Sequence, residues 1–587
     1  FGLTIVFATL CSLFISFTLT PMMASRLFRH GLQEPTGRIW ERLDRWEAKV
    51  ISFYEKTLRR SLERPKTILT AILVLFVFTV SLVPLGVIGA EYMPKTDEGS
   101  FRVNMQFPTG QNIDQTNQRL AVVEAYLDTI PEITHYLSNV GSPAGNYGSV
   151  SVRLADRQDR SRTVWQITDQ VRKELRSKYP EAIVQVSETQ SSNAGVSGGT
   201  GTGGGGNSSP VQIELRGSSL DNLVKASYRT QELLGQVNGI KDVRSSYSEG
   251  APEMRILPDR ERLRFYNTTV NDVNSVFNGA ISGIQAGYFV NDPNNNGQDT
   301  KIYVRLAGSD GFRASDIRSI PVQGGKGLVR LSDVARIEDG VGPVMLRRVD
   351  KQESINIAAN ITDRPLQEVL NDISRQLTPK ELGNGVTYRF TGQADNMKTT
   401  FGEMAQALFL SLLLVYMLLA VLYESLSTPF IRMFSLPLGM IGSLLFLAFT
   451  RNTINLYSLI GILVMDGLVA KNGTLLLDYT LTLMERGFTA KDAIIEAGKT
   501  RLKPIFMTTL TMVVGMLPTA LAMTAGSETR VSMAWVLIGG LLSSTVFTLI
   551  IIPIIFLHLE THHPFARFKQ FVLSLLKGRR GTEIKQE

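Results

Sequence analysis

Apolar residues gather in seven runs near the ~20 residues that carry a helix across a bilayer core. The runs are Phe1–Met23, Thr67–Ala90, Met404–Tyr423, Thr428–Thr450, Ile454–Met484, Pro504–Met523 and Val531–Leu557. They predict seven membrane spans, the fourth and fifth interrupted by Arg432, Asp466, Lys471 and Asp478. Between the second and third runs the pattern becomes that of a soluble α/β domain. It predicts a strand at Phe101–Phe107, a helix at Asp114–Thr129, strands at Ile133–Asn139 and Ser149–Leu154, a helix at Thr163–Ser177 and a strand at Ala182–Ser187. That βαββαβ order is the ferredoxin-like split motif. A second unit begins with a strand at Val211–Leu215, a helix at Leu220–Leu234 and a strand near Lys241–Ser246. It resumes at Ser354–Asn360, with a helix at Pro365–Leu377 and a strand at Val386–Phe390. The stretch Gly250–Val344 then reads as an inserted domain, with the turn-rich Asn291–Gln298 marking a hairpin or arm.

Between the two units lies "GVSGGTGTGGGGNSS", Gly195–Ser209. Gly and Ser at this density do not hold a fixed path, so the segment is a flexible linker or a mobile gate. No Gly-Lys-Ser/Thr follows, so it is not a phosphate loop.

Charge changes this picture by giving it sides. The net charge of +8 is concentrated in Arg26–Lys66, in the Glu485–Lys503 connection and in the tail from Arg567. With alternating spans, all three fall on one side, which the positive-inside rule makes cytoplasmic. The insert Glu91–Glu403 then lies outside the cytoplasm, and the basic balance needs no nucleic-acid partner. Trp40, Leu43, Trp46, Val50, Ile51 and Tyr54 recur at helical spacing between charges, predicting an amphipathic helix on the membrane surface. The lone Cys11 allows no intrachain disulfide. The chain opens inside a hydrophobic run without a methionine and reads as a piece of a longer protein. Its first and last spans share a small-residue start and a late proline (Pro21, Pro553), as duplicated halves of a transporter would.

Ionisable groups inside spans are costly and mark transport pathways or proton relays. Lys471 sits mid-span in "GLVAKNGTLLLDY". Asp478 lies two helical turns on, and Asp466, five residues earlier, is rotated away. Neither is an obvious partner for Lys471 within one helix, so its carboxylate is expected from another span. The other six runs contain none in their cores. Thr508 and Thr509 start the sixth span, where a hydroxyl either relays a hydrogen bond or simply bonds its own helix. Arg501 and Lys503 mark its cytoplasmic edge, as working groups or as snorkelling anchors.

Five segments together resemble the resistance-nodulation-division (RND) transporters, most nearly the hydrophobe/amphiphile efflux branch of acriflavine-resistance type. They are "EYMPKTDEGSF" (Glu91–Phe101), "LYESLSTPF" (Leu422–Phe430), "LPLGMIGSLL" (Leu436–Leu445), "AKNGTLLLDY" (Ala470–Tyr479) and "RLKPIFMTTL" (Arg501–Leu510). The resemblance implies the C-terminal half of a twelve-span pump. Its fold would be an α-helical transmembrane bundle of seven spans with a large extracytoplasmic α+β insert of ferredoxin-like porter subdomains and a docking subdomain. Residues 1–23 would be the sixth span, 24–66 a cytoplasmic amphipathic helix and 67–90 the next span. The first porter subdomain would be 98–190, the Gly-rich loop 191–209, and the second porter subdomain 208–250 with 345–393 around a docking subdomain at 251–344. Five spans at 404–557 and a basic cytoplasmic tail at 558–587 complete the chain.

The resemblance further implies a homotrimer in the inner membrane, working with a periplasmic adaptor and, in double-membraned cells, an outer-membrane channel. Its substrates would be small hydrophobic or amphiphilic compounds exchanged for protons, with no cofactor beyond the gradient. Lys471, Thr508 and Arg501 match the family's proton-relay residues, with Asn472 and Asp478 as additional relay candidates. Two adjacent aspartates that complete the family's network are absent from this sequence.

Two features depart from the family pattern. The stretch Leu137–Val152, which in drug pumps supplies phenylalanines to a deep pocket, offers only Leu137, Ser142 and Tyr147 as cleft candidates. Asp466 stands where an apolar residue is expected, as an added proton site or a variant facing another helix. A metal exporter is the rival reading, but it wants soft ligands converging in the porter region, where Met105, Met254, Met345 and His135 are scattered. A lipid- or protein-export accessory of related fold is a further rival. No nucleophile–base pair, phosphate loop or metal-ligand spacing points to an enzyme.

Overall fold

The computed structural model describes residues 2–27, 38–108, 111–141, 145–188, 209–247, 251–293, 298–308, 314–325, 327–342, 346–362, 364–383, 385–523 and 526–562. The Gly-rich segment, all but Ser209, therefore lies outside the described residues, as do Ser142, Met345 and the basic tail from 563.

The chain begins with α1 (Gly2–Leu27), an apolar helix none of whose residues is buried. Next come α2 (Arg38–Glu63) and α3 (Pro65–Ser81), which meet at a bend of 100°. Pro65 sets that bend: it opens α3, where no backbone donor is needed, and keeps Arg64 out of the helical region. On its described face α2 is not free on a surface. Tyr54 and Leu58 are buried, and the Tyr54 hydroxyl donates to the Leu549 carbonyl at 3.0 Å. Glu55 pairs with Lys499, and Glu47 with Lys503.

The first α/β unit is β1 (Ser100–Gln106), α4 (Ile113–Leu127), β2 (Ile133–Val140), β3 (Tyr147–Leu154), α5 (Val164–Lys178) and β4 (Ile183–Glu188). Its sheet has the order β2-β3-β1-β4, the split βαβ arrangement. Alternation buries Phe101, Val103 and Met105 with Val150 and Val152 against α4 and α5. The second unit starts with β5 (Val211–Gly217), α6 (Leu220–Gln236) and β6 (Ile240–Ser245).

An inserted domain follows, made of β7 (Ala251–Pro258), α7 (Arg260–Phe265), α8 (Val270–Ile281), β8 (Ile284–Asp292), β9 (Gln298–Val304), α9 (Ala314–Arg318), β10 (Pro321–Gly324), β11 (Gly327–Arg330), α10 (Leu331–Val334) and β12 (Ala335–Gly342). Its two ends pair with each other, Ala251 opposite Gly342 and Pro258 opposite Ala335, which closes the insertion. Strands β8 and β9 form an antiparallel hairpin around the turn-rich patch. The second unit then resumes with β13 (Arg347–Val349), β14 (Gln352–Ile361), α11 (Leu366–Gln376), α12 (Pro379–Leu382) and β15 (Val386–Thr391). In its sheet β14 lies between β5 and β6, and β15 flanks β5, so the strand order of the first unit recurs.

The further membrane helices, besides α1, are α13 (Gln393–Leu422), α14 (Ser427–Met433), α15 (Ser435–Thr450), α16 (Leu456–Glu485), α17 (Ala490–Ala520) and α18 (Val531–His562). Two spans differ from the sequence reading. The apolar run Thr67–Ala90 is helical only as far as Ser81 and then turns. At 17 residues α3 is about 26 Å long, short of a ~30 Å hydrocarbon core. Among the described residues six helices have the length and hydropathy of a span, and a seventh appears only if α2 and α3 are counted as one bent element. The run expected to start at Pro504 belongs to a helix already begun at Ala490, capped by the Thr489 side chain. Its polar first turns pack against α2. The break between α14 and α15 falls where Pro437 removes a helix donor and crowds the carbonyl of Met433.

The centre of this bundle is the crossing of α15 and α18. A Cβ on Gly442 would lie 2.1 Å from the Gly539 carbonyl oxygen, and one on Gly539 2.5 Å from that of Gly442. Only glycine on both helices permits that approach. The Ser543 hydroxyl accepts from the Gly442 amide at 3.1 Å and donates to the Leu438 carbonyl at 2.9 Å.

Candidate functional site

Helix α16 carries every ionisable candidate in the membrane interior except Arg432 and Arg501. It starts at Asn455, whose side chain accepts from the Ser458 amide in a capping box and also from the Ser532 hydroxyl at 2.9 Å. This pins the helix to α18. From there the 3.6-residue period decides which side chains face the bundle and which face outward.

Lys471 faces outward. It is exposed, and no carboxylate among the described residues comes within ion-pair distance of it. Its neighbour Asn472 faces the other way, is buried, and donates to the Thr545 hydroxyl of α18 at 3.4 Å. Thr545 shares a hydrogen bond of 2.8 Å with Thr509 of α17. The three form a buried polar link between α16, α17 and α18; the sequence names Thr509 beside Thr508, but only Thr508 is matched there to a relay residue. Thr508, the sequence candidate, is half-buried and donates to the Ile505 carbonyl of its own helix at 2.9 Å. The structure therefore separates the two threonines: Thr509 is committed to packing, and Thr508 is turned out of the bundle.

Asp478 was a candidate relay residue. It accepts from Arg432 of α14 at 2.7 Å and from the Tyr423 hydroxyl at 3.0 Å. The Arg432 guanidinium lies 3.7 Å from the centre of the Tyr423 ring and is 1% exposed. Arg432 also donates to Thr474 at 3.4 Å, while its Nε is buried without a partner among the described residues. Arg432 and Tyr423 were legible as a charge and an aromatic near a span end, but nothing in their spacing tied them to Asp478. Arg501 rests on the Tyr479 ring at 4.9 Å with a buried, unpartnered Nε. The structure thus places Arg501 on the ring of Tyr479, the residue after Asp478, and shows Lys471 in neither contact.

The cleft candidates lie on the sheet of the first unit. Leu137 stands opposite Ser151, and Tyr147 opposite Gln106. Both belong to the sheet face turned away from α4 and α5. Along that face run Arg102, Asn104, Ser149, Ser151, Gln185 and Ser187. Leu137 is exposed at the edge strand, whereas Gln185 and Ser187 are buried, Gln185 donating to Ser209 at the start of the second unit. Burial pushes the Tyr147 phenol up, against the opposing pull of Arg244 and Arg102. Tyr147 is the single aromatic among the described strand residues of this face, so the surface is polar rather than phenylalanine-lined.

Soft ligands do not converge there. Met105 is in the hydrophobic core, His135 lies on exposed β2 and Met254 on β7. Among the described residues no group of three or more His, Cys, Asp or Glu could hold a metal ion.

The unit is joined to the membrane helices through Asp97. Its amide donates to the Glu528 carboxylate at 2.8 Å, from the short 3₁₀ turn Ser527–Arg530 that precedes α18. Its carboxylate accepts from Arg160 and from the Val164 amide. Burial pushes that carboxyl up, but Arg160 and the backbone amides outweigh burial and hold it below the ordinary carboxylate range.

Comparison with known proteins agrees with this architecture. The model of the AcrB/AcrD/AcrF family matches residues 1–560. The swarming motility protein SwrC of Bacillus subtilis is 25% identical over 95% of this chain and 51% of its own length. The multidrug resistance protein MdtC of Yersinia enterocolitica is 26% identical over 95% of the chain and 53% of its own. A crystal structure of a heavy metal efflux pump superposes with a TM-score of 0.74 at 22% identity, over 88% of this chain and 53% of that one; this likeness bears on fold alone. The chain spans about half the length of the curated relatives it matches. The match across nearly every residue, with membrane helices flanking a β-rich insert, establishes that the chain belongs to the AcrB/AcrD/AcrF family of RND efflux transporters.

Proposed function

We propose that this chain is the C-terminal half of a proton-driven pump that exports hydrophobic or amphiphilic compounds. The observation that carries the reading is Lys471, an ammonium at mid-span, exposed on the helix bundle and without a carboxylate partner among the described residues. Such a charge costs several kcal/mol in hydrocarbon unless paired. It therefore calls for carboxylates from outside this chain, on the face that α16 leaves open. Protonating those carboxylates weakens their hold on Lys471, and the helices shift. Thr508, whose hydroxyl donates to the Ile505 carbonyl in this state, is the group that would exchange partners in that shift, and Arg501 is the further cation. The tie between Asp97 and Glu528 gives motion of α18 a route into the first α/β unit.

The two ion pairs between α2 and α17 bring two of the basic segments together. They support a cytoplasmic location for both and the opposite side for the insert. The function of the whole, as a homotrimer in the inner membrane with an adaptor and an outer channel, follows the family.

A metal cargo is the second reading, carried by Met440, Met465, Met512, Met516 and Met533, which gather in one cluster of the membrane domain. Thioethers suit Cu(I). The Ser443 hydroxyl donates to the Met465 sulfur at 3.2 Å, an arrangement equally suited to packing, and the polar sheet face offers no continuation of the path. The organic substrate is therefore preferred. The test uses the complete gene in cells lacking their own pumps, with Lys471→Ala and Thr508→Ala. Dye and detergent export should fall to background in Lys471→Ala and drop at least tenfold in Thr508→Ala. Export at the wild-type rate refutes the coupling role. Altered tolerance to copper or silver alone, with none to detergent, replaces the substrate class.

A further inference from the structure

Asp466 is a second carboxylate of the membrane domain, and the coupling scheme does not use it. It lies five residues before Lys471 on α16, about 7.5 Å along the axis, and points elsewhere: it is 1% exposed, while Lys471 is exposed. Its Oδ2 accepts from the Ser411 hydroxyl of α13 at 3.3 Å. Its Oδ1 is buried with no hydrogen-bond partner among the described residues. Because this chain already encloses it, whatever covers the open face of α16 and neutralises Lys471 does not reach Asp466.

The charged groups around it are few. On α16 itself are Lys471, Asp478 and, at its last residue, Glu485, and Asp478 is held by Arg432 of α14. Helix α13 carries Asp395, Lys398 and Glu403 in its first turns, α17 carries its charges up to Lys503, and α18 none before His558. Helix α15 carries none, and the 3₁₀ turn before α18 has Glu528 and Arg530 at the outer end. No cation among the described residues lies within ion-pair distance of Asp466. The surroundings are apolar: Met465 and Val469 beside it are fully buried.

The seam it occupies is regular. Helices α13 and α16 run parallel in one register, with Ser411 on Asp466 and Tyr423 on Asp478. Twelve residues, or about 18 Å, separate the two contacts on each helix. Each carboxylate thus takes a hydroxyl from α13, but only Asp478 has a guanidinium. An ionised carboxylate with one neutral donor, buried beside apolar side chains, pays a desolvation cost that the hydrogen bond does not offset. The protonated acid fits: its O–H can return to a helix carbonyl as serine does, and Ser411 remains a donor to the other oxygen.

We propose that Asp466 is a proton-binding site of its own at the α13–α16 seam. It carries a proton in the conformation seen here and releases it to water when the two helices part. The site adds one proton to those taken by the carboxylates that face Lys471. Only the use of that proton in transport rests on the efflux reading; its binding does not.

The test reads binding and use separately. Full-length protein in liposomes is examined by infrared spectroscopy for the carbonyl stretch of a neutral carboxylic acid, from pH 6 to pH 10. A band at neutral pH that is lost in Asp466→Asn and fades as pH rises supports the site. In Ser411→Ala, which keeps the carboxyl but removes the donor that favours the anion, the midpoint should rise by about one pH unit. A wild-type spectrum that matches that of Asp466→Asn overturns the proposal, as does a band indifferent to pH. If Asp466→Asn does not fold, the Ser411→Ala shift decides alone, and an unmoved midpoint overturns it. Use of the proton is read from the pH profile of dye transport, which should flatten in Asp466→Asn while Lys471-dependent export continues. An unchanged profile overturns the part of the proposal that adds this proton to transport. Failure of the efflux reading would abolish dye transport in every variant and leave the infrared result standing.

Discussion

The pair Arg432–Asp478 allows the sharpest test of how the membrane domain tolerates charge. Asp478→Asn removes the carboxylate and leaves a guanidinium that is 1% exposed. Truncating one partner of a buried ion pair costs about 3–5 kcal/mol. Two features lower this. Asp478 is 40% exposed, so part of its charge is screened or available to other partners. Arg432 also keeps the face of the Tyr423 ring at 3.7 Å, an interaction of about 1–2 kcal/mol when desolvated. The expected loss for Asp478→Asn is about 2–3 kcal/mol. The double variant Arg432→Met with Asp478→Asn leaves no unpaired charge and should lose less than the sum of the single losses by about 1 kcal/mol or more. The measurement is unfolding of the full-length protein in detergent micelles, followed by loss of helical circular dichroism. Single-variant losses within ~0.5 kcal/mol of wild type, or strict additivity, would refute the claim that this pair is a structural clamp between α14 and α16. Transport by Asp478→Asn should keep the wild-type pH profile, since a clamp carries no proton.

Other consequences follow from the same packing. Gly442→Val drives a branched side chain into the Gly539 carbonyl, 2.1 Å from an ideal Cβ, and should abolish recovery of folded protein from membranes, whereas Gly515→Val, on an open face, should not. Tyr54→Phe removes the bond to the Leu549 carbonyl and should cost about 1 kcal/mol, seen as faster proteolysis within α2. Thr509→Val breaks the link to Thr545 and should lower stability by about 1 kcal/mol with the transport pH profile unmoved, the reverse of what is expected for Thr508→Val. Asp97 has its carboxyl held below the ordinary range, so its stabilisation is full above the unfolded value near pH 4 and is lost as pH falls through the lower folded value. Protection of the Val164 amide from hydrogen exchange should fall in that acid window and be lost at all pH in Asp97→Ala, which removes the acceptor.

Sequence alone determined much of this protein. Segmentation into long apolar runs and a soluble insert follows from the bilayer's thickness, a length that any apolar stretch either meets or misses. The split βαβ order was legible because strand and helix periods are local, and the inserted domain because one unit stopped and its partner strands came a hundred residues later. The family was carried by motifs at Ala470–Tyr479 and Arg501–Leu510. The tertiary structure decided what a neighbouring helix decides. Thr508 and Thr509 are adjacent in sequence but stand about 100° apart around α17, and only α18 shows which one is buried. Asp478 found its cation on α14, beyond the reach of any spacing rule within α16. The run Thr67–Ala90 met the length for a span, yet its helix ends at Ser81, because hydropathy counts apolar residues without knowing where the chain turns. Asp466 and Lys471 are both charges at mid-span in the sequence. Packing makes one a group enclosed by this chain and leaves the other open to a partner, since burial belongs to the surroundings of a side chain and not to the side chain itself.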